Sequence, residues 1–170
     1  MNVNDLYVLA KQQNIEVIET NLPENGSLSI MDDSGNCYIG IDESVMDGGA
    51  LEVVHMAHEL GHIVLHPWSE DIESLSKDEF KARERQANMF ASAFLLPKDS
   101  FLRDVLQYPT DLQYYRFLKK KWKVSIQAMI VRARQLNAIS PSQYQYMFRQ
   151  VSKNGWRIKE PDDNPGVLNE

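Results

Sequence analysis

The run His58-Glu59-Leu60-Gly61-His62 constrains this chain more than any other feature, because its spacing has a chemical meaning only on a helix. Residues four apart on an α-helix stand one turn above each other on one face, so two imidazoles at that spacing can reach a single small cation. Glu59 stands beside the pair, where it can hold the water at the open position of a bound zinc ion and serve as general base for hydrolysis. All four histidines of the chain lie between residues 55 and 66. At about 100° per residue, Leu51, Glu52, His55, His58, Glu59, His62 and His66 fall within an arc of about 120°. Most of the remaining girth is apolar, which predicts a helix buried at the centre of its domain. Buried His and Glu side chains need partners, and a metal ion supplies one.

Catalytic zinc takes three protein ligands and a water, so a third group must come from elsewhere. The longer zinc motif would need Gly at 65 and His at 68, where the chain has Leu65 and Trp68, and no histidine follows His66. A carboxylate must serve, with Glu70, Asp71, Glu73, Asp78, Glu79 and Glu84 as candidates. Glu84 is selected because it interrupts the apolar series Phe80, Ala87, Ala91, Phe94 on a second predicted helix, at 77–96. A carboxylate within a buried face is costly unless it is paired or bound to a metal. Gly61 on one helix, with Ala87 and Ala91 on the other, would let the two backbones approach. Asn88, one turn after Glu84, is a candidate to hydrogen-bond a ligand, and so is His55. His66, near the helix end, either complements the helix dipole or hydrogen-bonds a ligand or the developing oxyanion.

The 170 residues suffice for one domain with a core and an appendage. Cys37 is the single cysteine and cannot form an intrachain disulfide. With no leader and no long apolar run, the chain is expected to be cytoplasmic and away from membranes. A short helix is predicted at 5–13 and strands at 15–20, 27–31 and 37–41, the last two joined as a hairpin by Asp32-Asp33-Ser34-Gly35-Asn36. Cys37, Ile39 and Ile41 share one face, so Cys37 reads as a buried strand residue. Asp47-Gly48-Gly49 opens the histidine helix and Pro67 stops it at 65 or 66. Asp99 or Ser100 is expected to cap a short helix through 106, and further helices are predicted at 112–122, 126–137 and 142–152. These elements predict an α+β fold with a small three-stranded antiparallel sheet, a helical core carrying the zinc motif and a C-terminal helical extension. The expected divisions are 1–107, 108–155 and a disordered tail at 156–170.

The stretch His58-Glu-Leu-Gly-His-Ile-Val-Leu-His66, then Glu84-Arg-Gln-Ala-Asn88-Met-Phe-Ala91 and Leu95-Leu96-Pro97, resembles the ImmA/IrrE family of metallo-endopeptidases. The resemblance implies a small gluzincin-like fold, zinc held by His58, His62 and Glu84, and Glu59 as catalytic base. It also implies a protein substrate, with helix-turn-helix repressors of prophages and mobile elements as the expected class. Set against the resemblance, the chain is expected to lack both the fused N-terminal DNA-binding domain and the sensor domain of larger members, so a repressor partner is expected in trans.

Charge divides unevenly: residues 1–100 hold 6 Lys/Arg against 18 Asp/Glu, whereas residues 101–160 hold 12 against 3. Between 112 and 137, Arg116, Lys119, Lys120, Lys121, Lys123, Arg132 and Arg134 occur without an acidic residue, in what resembles a helix-turn-helix-like pair. Such helices can contact phosphate, remain solvated or dock on the acidic half. The reading is therefore a zinc-dependent endopeptidase acting on a protein partner. The alternatives are a regulator-binding or DNA-binding module whose zinc is structural, or the peptidase-like toxin of a toxin–antitoxin pair. A structural site would need a fourth protein ligand, for which His66 is the candidate.

Overall fold

Asp32 makes the turn that organises the sheet. Its carboxylate accepts hydrogen bonds from the backbone N–H of Ser34 and of Asn36, both at 2.9 Å, and from the Asn36 amide at 2.8 Å. Gly35 follows at φ +84°, a conformation that glycine adopts without a Cβ clash. The chain so reversed pairs β2 (Ser27–Met31) antiparallel with β3 (Cys37–Asp42), from Ser27 opposite Ile41 to Met31 opposite Cys37. These contacts come from a computed structural model that describes residues 3–23, 26–46, 49–66 and 74–162.

The third strand corrects the expected antiparallel sheet. β1 (Ile15–Thr20) lies on the other side of β3 and runs parallel to it, giving a mixed sheet in the order β1-β3-β2. The physical reason is that β2, through its tight turn, already occupies one edge of β3. Only the opposite edge remains for β1, and side-chain alternation is the same for either strand direction. The Asp42 carboxylate secures the loops at this end by accepting from Leu22 N–H at 2.7 Å and Ser44 N–H at 3.0 Å. Ile39 and Ile41 are fully buried, but Cys37, at the strand's start, is only half-buried.

α1 (Val3–Gln12) buries Leu6 and Ala10, and α2 (Ala50–Leu65) packs on β2, β3 and α1 through Val53, Met56, Ala57 and Leu60. α2 is less enclosed than its composition suggests. Leu51 is exposed at its start and Val64 and Leu65 at its end, so the helix is buried only through its middle turns. It closes at His66, whose backbone is extended at ψ 135°, as the residue before a proline must be. Asp47, Gly48 and Pro67 lie outside the described residues, as do Glu70, Asp71 and Glu73.

α3 (Lys77–Leu95) meets α2 at Gly61. A Cβ placed on Gly61 would lie 3.1 Å from the Ala87 Cα, the Ala87 carbonyl oxygen and the Phe90 ring. Glycine at mid-helix costs about 1 kcal/mol relative to alanine, and here it gives a backbone approach that any side chain would obstruct.

The chain divides into two compact units, Met1–Phe94 and Leu95–Glu170. In the second, α4 (Lys98–Val105) follows Pro97 directly, so its cap precedes both Asp99 and Ser100, and no side chain caps it. Pro97 lacks an N–H and presets the chain for helix entry, which places the start two or three residues earlier than the polar caps suggested. α5 (Leu112–Trp122) is capped by Asp111 and ends at Lys123 in the left-handed conformation. After Val124, Ser125 caps α6 (Ile126–Gln135), and Ser140 with Gln143 forms a capping box for α7 (Pro141–Lys153). The residues beyond α7 return to this unit: the buried Glu160 carboxylate accepts from Ile126 N–H at 2.7 Å, Gln127 N–H at 2.9 Å and Lys119 Nζ at 3.0 Å. Residues 156–162, expected to begin the tail, thus include a carboxylate at a helix N-terminus. Residues 163–170 lie outside the described residues. No described helix is long and apolar enough to cross a membrane.

Replacing Gly61 by valine should therefore lower stability by about 1–3 kcal/mol through overpacking. Urea unfolding would register this as a lower midpoint at unchanged slope, and an unchanged midpoint would mean that the helices do not need the contact.

Candidate metal centre

His58 and His62 stand one turn apart on α2 with their Nε2 atoms 3.1 Å from each other. Glu84 enters from α3, its Oε1 3.1 Å from His62 Nε2 and its Oε2 3.4 Å from His58 Nε2. Among the described residues this is the one group of His, Cys, Asp or Glu side chains converging closely enough to hold a metal ion. The separations fit a tetrahedral zinc site, in which metal–ligand distances of about 2.0–2.2 Å put neighbouring ligand atoms roughly 3.3–3.5 Å apart.

The hydrogen bonds around the three ligand atoms fix which nitrogen of each ring is protonated. Asn88 Nδ2 donates to the Glu84 carbonyl at 2.9 Å, which turns Asn88 Oδ1 towards His58 Nδ1, 3.1 Å away. An amide oxygen only accepts, so the His58 proton is on Nδ1 and its Nε2 presents a lone pair. On the other side, His66 Nε2 donates to Gln86 Oε1 at 3.0 Å, leaving His66 Nδ1 to accept from His62 Nδ1 at 2.9 Å. His62 Nε2 therefore also presents a lone pair. Two imidazole lone pairs and a carboxylate facing one another within 3.4 Å repel unless a cation lies between them. Burial first, and then the repulsion that a protonated His58 would exert, hold His62 below the ordinary histidine range, which favours the neutral, ligating form.

The environment of Glu84 differs from the one that selected it. Its side chain is 37% exposed and Phe80, one turn earlier, is also exposed, whereas Ala87 and Ala91 are buried. Only the second half of the apolar series packs in the core. The first half lines a cleft of about 870 Å³, together with Ser27, His55, His58, Glu59, His62 and His66.

Glu59 is 4% exposed and its Oε1 accepts from Ser27 Oγ at 2.7 Å. Ser27 Oγ lies 2.8 Å from His55 Nδ1. His55 is held below the ordinary histidine range by burial, then by the repulsion that a protonated His58 would exert. Glu52, on the same helix, is buried and accepts from the Tyr7 hydroxyl at 2.7 Å, and burial with this bond raises the Tyr7 pKa. Sequence reasoning singled out His55, His66 and Asn88, which all border the ligand group, but missed Ser27 and Gln86. Ser27 alternates with Leu28, Ser29 and Ile30 in an ordinary strand pattern that does not distinguish it from Ser29. Gln86 lies two residues after Glu84, off the series that drew attention to that helix.

Residues 10–134 match the sequence profile of the peptidase M78 family, described as the IrrE N-terminal-like domain. The chain belongs to this family. The IrrE-like domain is thus of a metallopeptidase-like kind, and among its described residues His58, His62 and Glu84 could together hold a metal ion. No curated protein matches it in sequence. Among solved structures, a Mycobacterium tuberculosis transcriptional regulator resembles it with a TM-score of 0.51 at 22% identity. That match covers 75% of this chain and 38% of the regulator, and at this identity the likeness is one of fold.

The role of Asn88 can be measured without a substrate. Asn88→Ala should weaken zinc binding about 10- to 100-fold, as loss of an outer hydrogen-bonding partner does elsewhere, while His58→Ala should abolish it. Competition against a chromophoric chelator reads both, and wild-type affinity in Asn88→Ala would show that the amide does not orient the ring.

Proposed function

We propose that this IrrE-like domain is a zinc-dependent endopeptidase that cleaves a protein partner, with a helix-turn-helix repressor of a prophage or mobile element as the expected substrate. The observation that carries the reading is the group of three converging acceptors, His58 Nε2, His62 Nε2 and the Glu84 carboxylate, beside the buried carboxylate of Glu59 in an open cleft. A bound zinc ion would supply Lewis-acid polarisation of the scissile carbonyl and of the attacking water. Glu59 takes a proton from that water as its oxygen bonds to the carbonyl carbon, and returns the proton to the amine nitrogen as the C–N bond breaks. The substrate fits as an extended segment. β2 is an edge strand, and its residues from Ser27 to Met31 border the cleft, so its unpaired backbone groups can align a peptide by strand addition.

A structural zinc site is the second reading, and it needs a fourth protein ligand. His66, the sequence candidate, has both ring nitrogens engaged by His62 and Gln86. Direct DNA binding is also weakened by the pairing of the basic helices. Arg116 meets Asp162, Lys119 meets Glu160 and Lys121 meets Asp104, leaving less free charge than the sequence count implied. The structural neighbour named as a transcriptional regulator supports a regulatory setting. A toxin would use the same chemistry on a different target.

A peptide library prepared from a bacterial proteome, with new termini identified by mass spectrometry, tests the mechanism. Wild type should cut a defined set of peptides, and Glu59→Gln should retain zinc while losing about 10²- to 10⁴-fold in rate. Equal cleavage by the two proteins would overturn the assignment of Glu59.

A further inference from the structure

Ser27 has a single hydroxyl proton and two neighbours that compete for it. Its Oγ is 2.7 Å from Glu59 Oε1 and 2.8 Å from His55 Nδ1. A carboxylate accepts and cannot donate, so the hydroxyl proton points to Glu59 and the oxygen must accept a hydrogen bond from His55 Nδ1–H. The result is a directed chain from His55 through Ser27 to Glu59. It links two positions one turn apart on α2 through the first residue of β2.

We propose that Ser27 is a positioning residue for the reaction, holding the Glu59 carboxylate in its working orientation, and that His55 fixes the Ser27 hydroxyl. The inference rests on the peptidase reading of the same cleft. Glu59 is almost wholly buried, so its free rotation is limited and its charge requires a donor. Ser27 meets that need at Oε1, which leaves Oε2 as the oxygen for the attacking water. A general base must lie within hydrogen-bond reach of the proton it takes, and a small misorientation weakens proton transfer sharply. Because Ser27 belongs to the edge strand that borders the cleft, the same strand that can align a peptide also orients the base.

Two measurements on the full, zinc-loaded chain test this. The first needs no substrate: ¹⁵N spectra of histidine-labelled protein, with His55 assigned through His55→Gln, should show His55 protonated on Nδ1, the less common neutral tautomer. In Ser27→Ala the His55 resonances should move towards the ordinary Nε2-protonated form. A wild-type His55 protonated on Nε2 would overturn the proposal, whatever the activity. The second uses a peptide that wild type cleaves. Ser27→Ala should lower kcat about tenfold or more with KM and zinc affinity unchanged, and Ser27→Thr, which keeps the hydroxyl, should restore most of the rate. Wild-type kcat in Ser27→Ala, or no recovery in Ser27→Thr of normal stability, would contradict it. Absence of any cleavage by wild type would count against the peptidase reading, and the histidine spectrum would still decide the Ser27–His55 link.

Discussion

The approach of two helix backbones at Gly61 and Ala87 sets the geometry on which the rest of the site depends. Gly61 adjoins His62, and Ala87 lies between Glu84 and Asn88, so the contact that brings the backbones together also brings the carboxylate of one helix to the imidazoles of the other. A Cβ at Gly61 would press on the Ala87 backbone at 3.1 Å, so a larger residue there must displace the helix that carries Glu84. The core of the first unit reinforces this, since α2 is held against β2, β3 and α1 by Val53, Met56, Ala57 and Leu60.

Around that contact, the polar groups are ordered in one sense. Asn88 and His66 each accept a hydrogen bond from the outer nitrogen of a ring, and Gln86 accepts in turn from His66. This polarity leaves both inner nitrogens as acceptors, which is the state needed to ligate a metal and is costly to maintain otherwise. Glu59 has a separate donor in Ser27. The ligand atoms and the base are thus supported by different residues, and each set can be perturbed without removing the other.

Much of this was legible in the sequence, for identifiable physical reasons. The helix carrying His58 and His62 followed from spacing and from the proline that ends it, and the helix expected at 112–122 is α5, which the structure shows bounded by an Asp111 cap and a left-handed Lys123. Glu84 was found as a polar interruption of an apolar series, although that series is buried only at Ala87 and Ala91 and opens onto the cleft at Phe80. The parallel pairing of β1 with β3 was not legible, because alternation records which face is buried and not which way a neighbour runs. Ser27 and Glu160 share a different obstacle. Each acts on residues far away in sequence, Ser27 on Glu59 and Glu160 on the start of α6, and no local pattern names the distant partner.

The central claim is that His58, His62 and Glu84 form a three-ligand site with an open position. X-ray absorption at the zinc edge, on protein loaded with one equivalent of zinc, addresses it directly. The account predicts four nitrogen or oxygen neighbours at about 2.0–2.2 Å, with outer-shell scattering from two imidazoles only. Scattering from three or more imidazoles, or failure to retain zinc at one equivalent, would contradict it.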